Sequence, residues 1–163
     1  MDNQFSRRSD GQGGLVHAFA VIAVVAGLLA GPGAPDPPAD PRLAARVLHA
    51  WDARRAAAWA STDTAALTAL YEHGSGAGRR DVRLLRAYAA RDLVVRRMVT
   101  QVLELSFVSS ESGRLRLRVV DRVAGGEVFG GGRARPLGTS RPVLRVLELK
   151  RVDDRWLVVS VRA

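Results

Sequence analysis

The sequence predicts an α+β domain carried behind an N-terminal transmembrane helix, and three observations predict it. Residues 15–31 form a charge-free apolar run, residues 42 to about 90 repeat apolar side chains at helical spacing, and from residue 93 the pattern alternates as strands do. Three helices followed by about four antiparallel strands segregate into layers, with the helices covering one face of a curved sheet. The 163 residues contain no cysteine. That excludes a disulfide framework, thiolate metal or iron-sulfur sites, a cysteine nucleophile and a lipid-modified N-terminal cysteine.

Residues 1–14 read as a cytoplasmic tail, since Arg7 and Arg8 precede the apolar run and the positive-inside rule keeps them in the cytoplasm. The run LVHAFAVIAVVAGLLAG, residues 15–31, spans roughly 25 Å as a helix, the short end of what crosses a bilayer core. A cleaved secretory signal is the alternative, and it would leave the domain secreted. It should end in a small-x-small site; Val24 and Ala26 lie inside the apolar run, Ala30 has Leu28 in the outer position, and prolines flank Ala34. Residues 32–41, PGAPDPPADP, hold five of the seven prolines and form a semi-rigid spacer. With Arg7, Arg8 and the acids Asp2, Asp10, Asp36 and Asp40 set aside, 23 basic and 12 acidic residues remain, a net charge of +11 on residues 42–163. This orientation puts that domain outside the cytoplasm, and long domains translocate largely regardless of charge.

Within residues 42–163, Leu43, Val47, Leu48, Trp51, Ala58 and Trp59 define the apolar side of a first helix. A second starts at the Ser61-Thr62-Asp63 cap, buries Ala66, Leu67, Leu70 and Tyr71, and stops at His73-Gly74. GSGAG is expected as a flexible connection, after which Asp81 caps a third helix through Val82, Leu85, Tyr88 and Ala89. Residues 93–108 and the RLRLRVVDRV run pair as a hairpin across SSESG, and the glycine-rich stretch 125–132 interrupts the second strand. VLRVLELKRV, an Asp153-Asp154 turn and a last strand from Trp156 to Arg162 complete the pattern.

This order of elements resembles the nuclear transport factor 2-like superfamily, the cone-shaped fold that includes polyketide cyclases and ketosteroid isomerases. The resemblance is carried by the Trp51-bearing first helix, the LTALYEHGS ending of the second, VRLLRAYAAR in the third and the terminal DDRWLVVSVR run. The layout of tail, anchor, spacer and cone is similar to that of membrane-anchored, mammalian-cell-entry-associated accessory proteins of high-GC bacteria. That resemblance implies a non-enzymatic accessory or interaction role in an envelope or lipid-transport assembly. It also implies a homodimer through the sheet face as one partner choice, with an envelope protein as the other. The family's small early strand between the second and third helices has no counterpart in GSGAGRRD.

No metal or cofactor site is expected. Outside the anchor the histidines are His49 and His73, without an HExxH pair. His49 and Asp52 are three apart on one helix and could form an oriented base or a surface hydrogen-bonded pair. The sequence around Ser75, His73-Gly74-Ser75-Gly76-Ala77, lacks both glycines of a nucleophile elbow. GSGAG lacks the Lys-Ser/Thr of a phosphate loop, and FGGGRARP reads as a loop that could cover a pocket mouth.

Asp121 is the residue that stands out, because its strand parity places it with Leu115, Leu117 and Val119 on the apolar face. A carboxyl there either pairs with an arginine such as Arg97 or stays protonated. In the second case the resemblance implies a cyclase- or isomerase-like site in which Asp121 works with Tyr71 or Tyr88 on an apolar ring-shaped molecule. Trp51, Tyr71, Tyr88 and Asp121 then line its pocket, unless the aromatics serve only as core.

Lys150 is the only lysine, so the basic character is arginine throughout, as codon usage in a GC-rich genome produces. Arg114, Arg116, Arg118 and Arg122 share the outward strand face, joined in principle by Arg145 and Arg151. Such a stripe suits anionic headgroups or an acidic partner, or is simply a solvated face; nucleic acid is not expected, because no stacking aromatics interleave it.

Overall fold

The computed structural model describes residues 40–163 except Ser112. The tail, the anchor and nearly all of the spacer lie outside the described residues, and among those described no helix is long and apolar enough to cross a membrane.

Three helices precede five strands. Helix α1 spans Pro41–Ala60, opened by Asp40, whose carboxylate accepts from the Arg42 N–H at 2.9 Å, with proline at the first helical position. Helix α2 is one short turn, Thr64–Thr68, capped by Asp63, which accepts from the N–H groups of Ala65 and Ala66. It ends before Tyr71, shorter than its apolar spacing suggests. The chain there turns extended: Tyr71 bridges Val158 in parallel, the Glu72 N–H reaching the Val158 carbonyl and the Val158 N–H reaching the Leu70 carbonyl, each at 3.0 Å.

Helix α3 runs Gly76–Ala89. GSGAG is therefore not a flexible connection; Ser75 is the N-cap, accepting from the Gly78 N–H, and Gly76 and Gly78 lie in the first turn. Asp81 consequently sits one turn inside the helix and is buried rather than capping it.

Strands β1 (Val94–Glu111), β2 (Arg114–Gly130), β3 (Arg133–Pro136), β4 (Val143–Val152) and β5 (Arg155–Arg162) form one antiparallel sheet in the order β1-β2-β4-β5, with β3 beside the end of β2. The fifth strand arises because 125–132 does not interrupt β2. The strand continues to Gly130, and FGGGRARP is a tight hairpin turned at Gly131 and Gly132, with φ of 57° and 75°, not a mobile cover. Asp153 and Asp154 take positive φ at the β4–β5 turn, a conformation aspartate tolerates. Register shifts along β1, at Arg96/Val99, Val99/Thr100, Val102/Glu104 and Phe107/Ser109, curve the sheet around the helices.

The core is the space between that curved face and the helices: Leu115, Leu117, Val119, Leu147, Leu149 and Val158 from the sheet meet Val47, Leu48, Trp51, Trp59, Leu67 and Leu85. The β2 alternation is clean, with Arg114, Arg116 and Arg118 exposed and Leu115, Leu117 and Val119 buried.

Candidate functional site: an ionisable cluster inside the cone

Helix α1 carries Trp51, Arg55 and Trp59 on one stripe, one turn apart, and α3 presents Asp81 toward it. Arg55 holds Asp81 in a two-pronged pair, Nε to Oδ2 at 2.6 Å and Nη2 to Oδ1 at 2.7 Å. The Tyr71 hydroxyl donates to Oδ2 at 2.7 Å and Trp59 Nε1 to Oδ1 at 3.2 Å. Four donors thus fill the acceptor capacity of one buried carboxylate. Burial, followed by the negative Asp81, pushes the Tyr71 phenol above its ordinary value. Burial alone would lower the Arg55 pKa, but its hydrogen bond and charge contact with Asp81 outweigh that and raise it.

Gly78 positions the phenol. A Cβ there would stand 2.7 Å from Tyr71 Cγ, so the ring lies directly on the α3 backbone. Trp51 packs edge-on to Tyr71 with ring centroids 5.6 Å apart, and donates Nε1 to the Leu70 carbonyl at 3.1 Å. Tyr88 packs the same way against Trp59, also at 5.6 Å.

Asp121 is 6% exposed on the inner face of β2. Its partner is Arg145, not Arg97: Arg145 Nη2 lies 2.7 Å from Asp121 Oδ1, an ion contact whose approach is too oblique for a directed hydrogen bond. Arg97 pairs with Glu127 on the surface at 2.9 Å. Arg145 therefore does not join the outward arginine stripe; it faces inward with Leu147, in register with Val119. Burial raises the Asp121 pKa, and Arg145 and Arg55 oppose that rise.

Asp52 completes the cluster. Half-buried on α1, its carboxyl is pushed up to about 6 by burial, against the pull of Arg55 and with a further push from Asp121. With His49 and Thr100 it supplies the polar groups of a cavity of about 240 Å³ between α1 and β1, otherwise walled by residues such as Leu48, Met98, Val102 and Leu105. A second cavity, about 220 Å³, is lined by Trp51, Arg55, Tyr71, Asp81 and Arg145. Three carboxyls and two guanidiniums thus share the interior, so retention of one proton by the carboxyls leaves it neutral.

Trp51 and Tyr71 line the second cavity, with Tyr71 hydrogen-bonded to Asp81, but Asp121 and Tyr88 line neither: Asp121 sits behind Arg145 and Tyr88 packs on Trp59. Asp81, Arg55 and Arg145 were not among the residues that the sequence singled out for the pocket. Their signals are present: Arg55 falls midway between two tryptophans at four-residue spacing, Asp81 shares a stripe with Gly78, Val82 and Leu85, and Arg145 has the parity of Leu147 and Leu149. Among the described residues no group of three or more His, Asp, Glu or Cys side chains could hold a metal ion.

On the outer face Arg114 pairs with Glu148 at 2.8 Å and Arg122 donates to Gln101 at 2.8 Å. Arg116 and Arg118 are exposed and form no ion pair among the described residues.

No protein-family model and no curated protein matches the chain. Solved structures do. The intermembrane space region of the chloroplast protein ARC6 is 14% identical over 77% of this chain and 97% of that one, with a TM-score of 0.52. Aln2 from a Streptomyces species is 15% identical over 76% of this chain and 90% of that one, with a TM-score of 0.51. A structure described as an NTF2-like protein with a cystatin-like fold, from Novosphingobium aromaticivorans, is 15% identical over 74% of this chain and 81% of that one, at a TM-score of 0.41. For the first two, at these identities, the likeness is one of fold: helices laid on a curved antiparallel sheet.

Proposed function

We propose that the chain is a membrane-anchored, non-catalytic binding domain of the cone-shaped, nuclear transport factor 2-like kind, held by residues 15–31 and displayed outside the cytoplasm. One observation carries the non-catalytic part. The best-placed acid-base pair inside the cone, the Tyr71 hydroxyl and a carboxylate, is spent on a saturated structural node at Asp81, and Asp121 is occupied by Arg145. The charge-free run behind Arg7 and Arg8 supports the anchor, and the exposed Arg116 and Arg118 support an anionic contact such as an acidic envelope partner. The finer reading, an accessory role in an envelope or lipid-transport assembly, rests on the resemblance of layout.

The absence of cysteine makes the topology directly testable. Single cysteines replace Ser9 and Ala134, and spheroplasts are treated with a membrane-impermeant maleimide. Labelling of A134C without lysis, and of S9C only after lysis, is the expected result; A134C that reacts only after lysis removes the outside placement. An interaction through the sheet predicts salt-sensitive association that Arg116→Glu with Arg118→Glu abolishes, and association indifferent to both excludes it.

A second reading is favoured by the α1–β1 cavity, a small apolar space with an ionisable rim. There the domain binds, or shuffles a proton on, a small apolar molecule. The group left available for that chemistry is Asp52 beside His49, rather than Asp121 with Tyr71 or Tyr88. Loss of binding of such a molecule in Asp52→Asn, with Asp121→Asn unaffected, supports this assignment; the opposite pattern returns the role to Asp121.

A further inference from the structure

A separate groove, of about 430 Å³, lies outside the cone interior between the 68–75 segment and α3. That volume falls within the usual range of small-ligand pockets, roughly 300–1,000 Å³. Its floor is apolar and open: Val82 and the Tyr71 ring line it, and Gly74 and Gly78 contribute no side chain. Its rim is cationic. Arg79, Arg83 and Arg86 succeed one another along α3 at four- and three-residue spacing, a row about 10 Å long. All three are exposed, and none forms an ion pair among the described residues. Arg79 reaches back to the Gly74 carbonyl and fixes the two walls together. Glu72, the acid in the lining, is already compensated by Lys150 at 3.0 Å. The groove therefore combines a carbon-lined floor with an uncompensated row of guanidiniums.

We infer that this groove binds a single-chain anionic amphiphile, an alkyl carboxylate or alkyl phosphate. The chain lies on Val82 and Tyr71, and the head group takes hydrogen bonds from the arginine row. Charge complementarity selects the anion, and the apolar floor selects an alkyl tail over a free phosphate. The site is a single pocket, not the broad face of about 800 Å² that a stable protein partner covers. It is independent of both the α1–β1 cavity and the sheet arginines.

The test uses the full chain in phosphatidylcholine nanodiscs and dodecanoic acid bearing a terminal diazirine, with the crosslinked peptides mapped by mass spectrometry. Labelling within residues 68–86 is expected, displaced by dodecanoate or dodecyl phosphate and not by dodecanol. It should fall about tenfold or more in Arg83→Glu with Arg86→Glu, whose exposed positions leave the fold intact by near-ultraviolet circular dichroism. Arg116→Glu with Arg118→Glu should leave it unchanged. Labelling confined to other peptides, competition by dodecanol as strong as by dodecanoate, or indifference to charge reversal on α3 overturns the proposal. Displacement by phosphatidylglycerol placed in the nanodisc, matching that by free dodecanoate, also overturns it, because the occupant is then a bilayer lipid.

Discussion

At Asp81 a single carboxylate accepts from three side chains, two on α1 and one in the segment after α2, and its value lies in what it leaves satisfied. Asp81→Asn removes the charge that faces Arg55 and strands a part-buried guanidinium, so chemical denaturation should show a loss of about 3 kcal/mol or more. Tyr71→Phe removes one hydrogen bond and keeps the ring on Gly78; a loss of about 1–2 kcal/mol is expected by the same measurement. Asp52 acts with the opposite sign. Its folded pKa, about 6, lies above its ordinary value of 3.8, so the native state holds the proton more tightly than the unfolded chain. That contribution is fully present below about pH 4 and is lost as pH rises through 6, by up to about 3 kcal/mol. Asp52→Asn should therefore flatten the stability profile between pH 4 and 6.5, and an unaltered profile would locate the titration elsewhere.

The elements differ in how openly the sequence announces them, and the reason is local. Helix α1 and the β4–β5 hairpin follow from periodicity and turn residues alone, because their hydrogen bonds are internal. The shortness of α2 does not. Leu70 and Tyr71 keep helical spacing, yet the backbone there is claimed by Val158, some ninety residues on, a non-local pairing that no window around residue 71 contains. The α3 start is masked similarly: glycines read as a loop, whereas Gly78 is small because Tyr71 rests on it. Gly78→Ala isolates that role. Helix propensity alone favours alanine by about 1 kcal/mol, but the contact with Tyr71 should reverse the sign and lower the melting temperature. At the site, burial of Asp121 was legible from parity, while its partner was not, because Arg145 comes within reach only through the β2–β4 register, which sets it opposite Val119, two residues from Asp121.

For the whole molecule, the sheet is two regions of unequal depth. The first half of β2 is sandwiched between β1 and β4 over a buried core, whereas β3 is exposed along its length and pairs with four residues at the far end of β2. Native-state hydrogen exchange should rank them accordingly, with amides of Leu117 and Leu147 exchanging slowest and those of residues 127–136 by far the fastest. Uniform protection along β2 would mean that the two regions open together.

The division falls at one residue. Asp121 is the last position of β2 that faces β4, opposite Val143; beyond it β4 has departed, and β3 does not arrive until Glu127. Between those two partners the 137–140 segment holds the β2 edge, the Ser140 N–H reaching the Val123 carbonyl and the Leu137 N–H the Gly126 carbonyl, each at 2.9 Å, and the Asp121–Arg145 contact stands where β4 gives way to that segment. Along this edge β2 thus passes from a strand partner to a loop partner beside an ion pair. The change of partner therefore falls beside a carboxylate on which burial and the Arg145 and Arg55 guanidiniums act in opposite directions.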